Sequence, residues 1–196
     1  GYGDEMSDIV DINKYGGIIT KSVTYEERIG NDPPRITETE CGMLNSIGLA
    51  NVGINCFVKE KLPFLQKQNT KIFVNIAGRT SQEYWVVVRI LEDHDKIDGY
   101  EINLSCPNVK EGGIEFGRDA KACYNITEML RKNTDRTLII KLTPNVTFIG
   151  EIGKAAEDAG ADCVSAINTL VGMAIDIKTL EPKLSTVAGG YSGPGI

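Results

Sequence analysis

The sequence lacks the features of several common classes of protein. Its single histidine, His94, lies in the charged run 92–96, so neither a Ser-His-Asp triad nor a histidine-based metal site is supported, and we expect no metal. No two cysteines have the C-x-x-C spacing of zinc ribbons and thioredoxin-like sites. No apolar run approaches the ~20 residues that a membrane-spanning helix needs. The N-terminal residues have neither the basic nor the apolar region of a signal peptide.

Positive charge is also scarce. The chain has 21 lysines and arginines against 27 aspartates and glutamates, for a net charge of -6. Because phosphate binding needs a basic surface, this balance argues against nucleic acid as a main partner. The five cysteines are widely spaced, which favours free thiols in a reducing cytoplasm. The composition therefore indicates a soluble, cytoplasmic protein of one domain without a membrane or nucleic-acid partner.

Short apolar segments alternate with amphipathic segments along the chain. Segments 17–20, 72–76, 100–104, 138–142 and 163–167 have the length and composition of buried parallel strands. Segments 57–66, 81–92, 120–132 and 149–159 have helical spacing. Thr80 or Ser81 is expected to cap the second helix, and Gly160 is expected to follow the last one. The alternation predicts an α/β fold with a parallel sheet and helical crossovers.

Two architectures have this order of elements, an open doubly wound sheet and a (β/α)8 TIM barrel. The first strand-helix turn has no glycine fingerprint of the Rossmann type. Polar residues instead follow the C-terminal ends of successive strands, where the active site of a barrel is built. These residues are Lys21, Asn75, Asn103, Lys141 and Asn168. The sequence therefore favours a barrel, incomplete because only about five of the eight strands are present in the single domain 1–196.

Two connections are unusually long. Residues 22–53 join the first strand to its helix, and residues 169–193 follow the fifth strand. Long loops at this end of a barrel commonly form lids or walls of the substrate site. In the second connection, alternating segments 174–177 and 183–186 flank residues 180–182, which predicts a small hairpin.

The loop 103–108 combines a thiol with two amides. Cys106 follows a strand end and precedes Pro107, which keeps it out of helical geometry. A thiolate there can act as a base or nucleophile, although a lone cysteine is more often a packing residue. Asn103 and Asn108 offer amide groups that suit a planar heterocycle, or that only tie the turn together. Lysines at the strand ends can hold a phosphate, a carboxylate or the charge of a reduced flavin, or can simply lie on the surface.

Taken together, seven segments resemble those of dihydroorotate dehydrogenases, enzymes of pyrimidine synthesis. They are 20–22 (TKS), 45–51 (NSIGLAN), 74–78 (VNIAG), 103–113 (NLSCPNVKEGG), 141–145 (KLTPN), 167–169 (INT) and 189–193 (GGYSG). The resemblance implies an FMN-binding (β/α)8 barrel that oxidises dihydroorotate to orotate. Cys106 would remove the proton from C5 while a hydride passes from C6 to FMN.

The cysteine base also implies a branch of the family. The membrane-bound, quinone-linked branch uses a serine, so Cys106 is typical of the soluble branches. The run 106–113, followed by Phe116 and Gly117, resembles the NAD-linked branch. That branch pairs the barrel with an electron-transfer subunit that carries FAD and a [2Fe-2S] cluster. The resemblance thus implies a homodimer within a heterotetramer.

Binding residues follow from the same resemblance. It implies FMN contacts from Lys21, Ser22, Asn75, Asn103, Lys141, Ile167 and Gly193. It implies substrate contacts from Lys21, Asn45, Ser46, Ile47, Gly48, Leu49, Asn103, Asn168 and Thr169. Lys141 would stabilise negative charge on the flavin, and the asparagines would hold the pyrimidine against it.

The sequence departs from the family at both ends. Family segments that precede Gly1 and follow Ile196, including glycine-rich loops for the FMN phosphate, are missing from it. We therefore expect a fragment that binds FMN poorly and is inactive by itself. Two alternatives stay open: a dihydropyrimidine dehydrogenase-type flavin domain, which acts on uracil and thymine, and a non-catalytic barrel fragment that serves as a scaffold.

Overall fold

The computed structural model describes residues 1–105, 110–111 and 114–196. The strands, in chain order, are β1 Gly17–Ile19, β2 Ile36–Thr39, β3 Gly42–Asn45, β4 Lys71–Ile76, β5 Gly99–Asn103, β6 Lys110–Glu111, β7 Ile114–Glu115, β8 Thr137–Lys141, β9 Cys163–Ser165, β10 Leu170–Met173 and β11 Ala188–Ser192. The α-helices are α1 Gly53–Cys56, α2 Leu62–Leu65, α3 Ser81–Glu92, α4 Ala120–Arg131 and α5 Ile149–Asp158. A π-helical turn, Phe57–Lys61, joins α1 to α2, and 3-10 helices cover Asp4–Met6 and Ile12–Lys14. Across these residues, no helix combines the length and apolar character needed to cross a membrane.

Five strands form one parallel sheet in the order β1-β4-β5-β8-β9. Each strand pairs with the next one along this order, and helical segments provide the crossovers between them. Consecutive parallel strands with helical crossovers, curled into part of a cylinder, are an incomplete (β/α)8 barrel. The α/β class and the barrel predicted from the sequence are confirmed.

The two faces of this sheet have opposite chemistry, because successive side chains of a strand point to opposite sides. One face packs on the helices: Val74, Ile102 and Ile140 join α3, α4 and α5 in a single apolar core. The strand register pairs Asn75 with Glu101, Asn103 with Lys141, and Lys141 with Ser165. These five residues therefore share the opposite face, which we call the polar face.

The helix boundaries have local causes. The Thr80 hydroxyl accepts a hydrogen bond from the backbone N–H of Glu83 at 3.2 Å and caps α3. The carboxylate of Glu83 in turn accepts from the Arg79 N–H at 2.7 Å. After α5, Gly160 has a φ of +95°, the left-handed conformation that glycine adopts without steric cost. Of the two predicted caps, Thr80 and Ser81, the structure has Thr80, and the predicted glycine stop at Gly160 is confirmed.

The two long connections build a second, antiparallel sheet in the order β10-β11-β3-β2. The hairpin expected from segments 174–177 and 183–186 was placed wrongly, because its strands are Leu170–Met173 and Ala188–Ser192. The predicted segments are joined by a hydrogen bond from the Lys183 N–H to the Ala174 oxygen at 2.9 Å, beside a bridge between Ile175 and Pro182. The physical reason is that β11 also pairs with β3, and this distant partner stabilises a strand in a glycine-rich segment without a strand-like pattern.

Candidate active site

A cavity of about 770 Å³ lies between the C-terminal ends of the parallel strands and the antiparallel sheet. Residues that follow β1, β5, β8 and β9 line one side of it, and the segments around β3 and β11 line the other. All nine residues predicted to contact substrate line this cavity: Lys21, Asn45, Ser46, Ile47, Gly48, Leu49, Asn103, Asn168 and Thr169. They are spread along the sequence from position 21 to position 169, and the fold brings them together.

Unlike the predicted substrate residues, only some of the residues predicted to contact FMN line the cavity. Ser22, like Lys21 and Asn103, lines the cavity, whereas Asn75 and Lys141 lie on the polar face of the sheet without lining it. Ile167, just after β9, is 40% exposed and also does not line the cavity.

Two further predicted residues are separate from this group. Gly193 lies at the far end of the antiparallel sheet, where its backbone packs against Gly42 and Cys41. The predicted base, Cys106, lies outside the described residues, as do Pro107 and Asn108. The structure therefore gathers the predicted substrate residues and part of the predicted FMN residues.

A chain of polar contacts joins the cavity to the polar face. Ser22 Oγ donates to Asn75 Oδ1 at 2.5 Å, and Asn75 Nδ2 donates to Glu101 Oε2. Ser165 Oγ donates to Glu101 Oε1 at 2.8 Å, and Lys141 Nζ lies 3.8 Å from Glu101 Oε2. Glu101 is only 3% exposed, so these donors replace the water that its carboxylate loses.

The sequence does not single out Glu101, because it stands inside a strand rather than at its end. The available signal was the two-residue period of β5. Glu101 precedes Asn103 by two positions and so must share its face. A carboxylate on the same face as a predicted site residue marks a candidate for that site.

Asn103 is held from three directions. Its Oδ1 accepts from the Ser105 N–H at 3.2 Å and from Asn168 Nδ2 at 3.1 Å. Its backbone oxygen accepts from the buried Tyr84 hydroxyl at 2.7 Å. Within residues 1–105, 110–111 and 114–196, no group accepts from Asn103 Nδ2, so this donor remains available to a molecule in the cavity.

The wall at 45–51 is fixed by a buried amide. Asn51 Oδ1 accepts from the backbone N–H groups of Thr24 and Gly53, at 3.1 and 2.9 Å. Its Nδ2 donates to the Leu49 oxygen at 2.8 Å. Gly48 has a φ of +77°, and a Cβ there would meet the Asn31 backbone nitrogen at 2.8 Å, so only glycine fits. These contacts shape the wall before any ligand binds.

The opposite wall depends on Asn145, which the sequence also does not single out within the segment 141–145. Asn145 Nδ2 donates to the Thr169 oxygen at 3.1 Å, and its Oδ1 accepts from the Val171 N–H at 2.9 Å. Asn168 Oδ1 accepts from the Thr169 N–H at 2.8 Å. Asn145 therefore ties the segment with the two predicted substrate residues, Asn168 and Thr169, to the loop after β8.

The electrostatics of the cavity favour an anion. Lys21, Arg28 and Arg118 are among the residues that line it, and the described lining contains no aspartate or glutamate. Ser46 and Ser105 also line it, and the hydroxyl oxygen of each is buried without a hydrogen-bond partner in the part of the chain that the structure describes. Because buried polar atoms normally have partners, these hydroxyls fit a ligand with polar edges.

The described cysteines lie elsewhere. Cys41, Cys56, Cys123 and Cys163 are free thiols, and none of the four lines the cavity. Burial raises the pKa of the Cys123 thiol to about 11, so it stays protonated and packs as a small apolar group. Among the five cysteines, Cys106 remains the candidate for the base.

Comparison with known proteins identifies relatives. A profile of the family described as "Dihydroorotate dehydrogenase" matches residues 1–196. The chain is 50% identical over 196 residues to "Dihydroorotate dehydrogenase B (NAD(+)), catalytic subunit" of Geotalea uraniireducens strain Rf4, covering 100% of the chain and 64% of that relative. It is 50% identical over all of its residues to the protein of the same name from Thermoanaerobacter pseudethanolicus, of which it covers 65%. For the protein of that name from Geobacter sp. strain M21, the identity is 48% and the covered share 64%.

The chain thus spans slightly less than two thirds of the length of these relatives. The family match extends over every residue of the chain, including both walls of the cavity and the polar face. The chain belongs to the dihydroorotate dehydrogenase family.

Proposed function

We propose that this protein oxidises dihydroorotate to orotate in pyrimidine synthesis, with FMN bound in a single barrel domain to which residues 1–196 belong. The observation that carries the proposal is the cavity, which all nine predicted substrate residues line and whose lining has basic but no acidic side chains among the described residues. Dihydroorotate carries a carboxylate and a polar ring, and both suit this lining. The names of the relatives support the same activity.

The donors on the described residues fit a flavin. Ser22 and Asn103 line the cavity, and Asn75 and Lys141 extend the polar surface along the sheet. The hydroxyl of Ser105, buried and without a hydrogen-bond partner among the described residues, provides a further group for a polar ring edge. When bound, FMN accepts a hydride from the substrate. The ammonium of Lys141 provides positive charge at this face, which favours a site that gains negative charge during the reaction.

Three residues then have separate tasks in the reaction. Asn103 Nδ2 donates to the substrate ring, while its Oδ1 keeps Asn168 in place. Lys21 attracts the carboxylate of the substrate from the rim of the cavity. Cys106 removes the proton from C5; this role rests on its place in the sequence, two residues after Leu104 of the lining. Holding the ring in one orientation raises the rate of reaction, because C5 and C6 are in position before the proton and the hydride leave.

Electrons are expected to leave through a second subunit. The relatives are named as catalytic subunits of NAD-linked enzymes, which supports a partner that passes electrons from FMN to NAD. We propose that this partner carries FAD and a [2Fe-2S] cluster, and that the enzyme is a cytoplasmic heterotetramer built around a homodimer.

The charge of the cavity also separates the proposal from a dihydropyrimidine dehydrogenase activity. Uracil and thymine lack the carboxylate of orotate, so a site for them has no use for a cation beside the pyrimidine. Lys21 at the lining, where the described residues include no aspartate or glutamate, therefore favours dihydroorotate. A scaffold without catalysis, in turn, has no requirement for all nine substrate residues around one cavity.

The test is a comparison of two substrates in the complete purified protein. We expect oxidation of dihydroorotate with an artificial electron acceptor, and a rate with dihydrouracil that is lower by at least a hundredfold. Cys106→Ala is expected to lower kcat by about 10²–10⁴, the usual contribution of a general base. Cys56→Ala, in α1 and outside the cavity, is the matched control and is expected to keep the parental rate.

Three outcomes contradict the proposal. Equal rates with dihydrouracil and dihydroorotate would favour the dihydropyrimidine dehydrogenase alternative. A protein that binds neither FMN nor orotate would favour the scaffold. A Cys106→Ala variant with the parental rate would leave the activity in place but remove Cys106 from its role.

A further inference from the structure

We propose that Glu101 is a positioning residue that orients Asn75 and Lys141 and, through its charge, sets how readily the bound flavin is reduced. The inference rests on the function proposed above, because it requires FMN at the polar face. It concerns a residue that does not line the cavity and would act through its neighbours and through its charge.

The first step of the argument is the hydrogen bonding of Asn75. A carboxylate can only accept hydrogen bonds, so Asn75 must turn its Nδ2 toward Glu101. Its Oδ1 is then directed to Ser22, whose hydroxyl donates to it at 2.5 Å. Glu101 thus fixes which end of the Asn75 amide is available on each side, and through Asn75 it orients a residue of the cavity lining.

The second step is the charge of Lys141. Its Nζ lies 3.8 Å from Glu101 Oε2, and the side chain is 30% exposed whereas that of Glu101 is 5% exposed. The carboxylate is therefore the enclosed partner of the pair, and the ammonium is the less buried one. Attraction by a fixed buried charge holds Lys141 near the polar face and offsets part of its positive charge.

The third step is the support of Glu101 itself. Ser165 Oγ donates to Oε1 at 2.8 Å, whereas Asn75 and Lys141 approach Oε2. Because the adjacent strands β4 and β8 and the next strand, β9, each provide one of these partners, the carboxylate is held by the sheet rather than by a loop. A charge held in this way can act on a ligand without reorganising.

The expected consequence depends on charge rather than on shape. Glu101→Gln is close to isosteric but removes one negative charge beside Lys141, so the site becomes more positive and the reduced flavin more favourable. We expect the equilibrium between oxidised and reduced flavin to shift at least tenfold toward the reduced form, about 30 mV for a two-electron couple. Glu101→Asp keeps the charge and is expected to stay within threefold of the parent.

The experiment uses the complete protein with FMN bound. The midpoint potential, the dissociation constant of FMN and the melting temperature would be measured for the parent, Glu101→Gln, Glu101→Asp and Ser165→Ala. The last variant is the matched control, because it removes one hydrogen bond from Glu101 but no charge. A shift confined to Glu101→Gln supports the proposal, and so does a loss of FMN in Glu101→Gln that Glu101→Asp does not share.

Two results overturn it. The first is Glu101→Gln with bound FMN and a potential within the range of the controls. The second is an equal loss of FMN and of thermal stability in both Glu101 variants, which would assign the residue to folding alone. If the parent binds FMN and oxidises dihydroorotate, these results leave the proposed function intact. If the parent binds no FMN, the proposed function fails and this inference fails with it.

Discussion

The two faces of strand β5 show how one strand can serve two purposes. On the helix side, Tyr100 and Ile102 are fully buried in the apolar core. On the other side, Glu101 and Asn103 are 3% and 7% exposed, which is nearly as buried, but they lie among polar groups. The two faces therefore differ in the chemistry of the groups that their side chains contact and not in how deeply those side chains are buried. Apolar contacts, which do not depend on direction, stabilise one face. On the other face, every buried polar group needs a hydrogen-bond partner in a suitable position.

This difference predicts a division of labour. Changes on the helix side are expected to lower the free energy of unfolding and leave ligand binding by the folded protein unchanged. Changes on the polar face are expected to alter binding and catalysis more than stability.

The largest expected effect is on the helix side. Ile102→Ala removes a fully buried side chain and leaves a cavity in the core, so we expect a loss of about 2–5 kcal/mol in the free energy of unfolding. Chemical denaturation of the complete protein measures it. Ile177→Ala is the control, because Ile177 is 87% exposed and the same change there is expected to cost less than about 0.5 kcal/mol. Equal losses in the two variants would contradict the role of the core.

The next effect belongs to the polar face. Asn103→Ala removes the donor that we propose for the substrate and the acceptor that holds Asn168, so kcat/KM for dihydroorotate is expected to fall about 10–100-fold, which corresponds to about 1.4–2.7 kcal/mol. Steady-state kinetics measure this loss, and a thermal melt monitors stability. Asn55→Ala, on the exposed side of α1, is the control. If Asn103→Ala unfolded as readily as Ile102→Ala with unchanged kcat/KM, the division between the faces would be wrong.

A smaller effect tests the link between the faces. Tyr84 packs edge-on against Phe116 in the core, with ring centroids 6.3 Å apart, and its hydroxyl donates to the Asn103 oxygen at 2.7 Å. Tyr84→Phe keeps the ring but leaves this oxygen without its donor, so we expect a loss of about 1–2 kcal/mol in unfolding free energy. A concurrent rise in KM would show that the helix side positions Asn103. Tyr124→Phe, at a partly exposed tyrosine, is expected to change neither quantity.

The smallest effect lies outside both faces. Thr80→Ala removes the cap of α3 and is expected to cost about 1 kcal/mol of stability, with no change in FMN affinity. Thr80→Ser keeps the hydroxyl and is expected to restore most of the loss. A change in FMN affinity on Thr80→Ala would mean that α3 and the cavity are coupled more closely than the contacts of Thr80 suggest.

The parallel sheet was largely predictable because its signals are local. The predicted segments 100–104 and 138–142 differ by one residue from the observed Gly99–Asn103 and Thr137–Lys141. The helical stretch predicted at 57–66 begins earlier, at Gly53, because the Asn51 carboxamide accepts from the Gly53 N–H and starts the turn. The antiparallel sheet was not predictable, since β3 and β11 are stabilised by each other across most of the chain.

Some residues of the candidate site were also predictable from local sequence signals, and others were not. Residues at strand ends, such as Lys21 and Asn103, are visible as polar interruptions of apolar segments, and the family resemblance supplied the loop 45–49. Glu101 and Asn145 needed the structure, because their importance lies in the register of the strands and in contacts across loops. The contacts of Cys106 lie outside the described residues, so its role stays a prediction from the sequence.

The pairing of β3 with β11 also has a consequence for biosynthesis. Asn45 donates through Nδ2 to the Gly190 oxygen at 3.3 Å, a contact between residues 145 positions apart, and both residues line the cavity. At synthesis rates of about 5–20 residues per second, roughly 7–30 s pass on the ribosome between the addition of these two residues. Until the segment around Gly190 has been added, β3 can pair only with β2, so this wall of the cavity is completed late in synthesis.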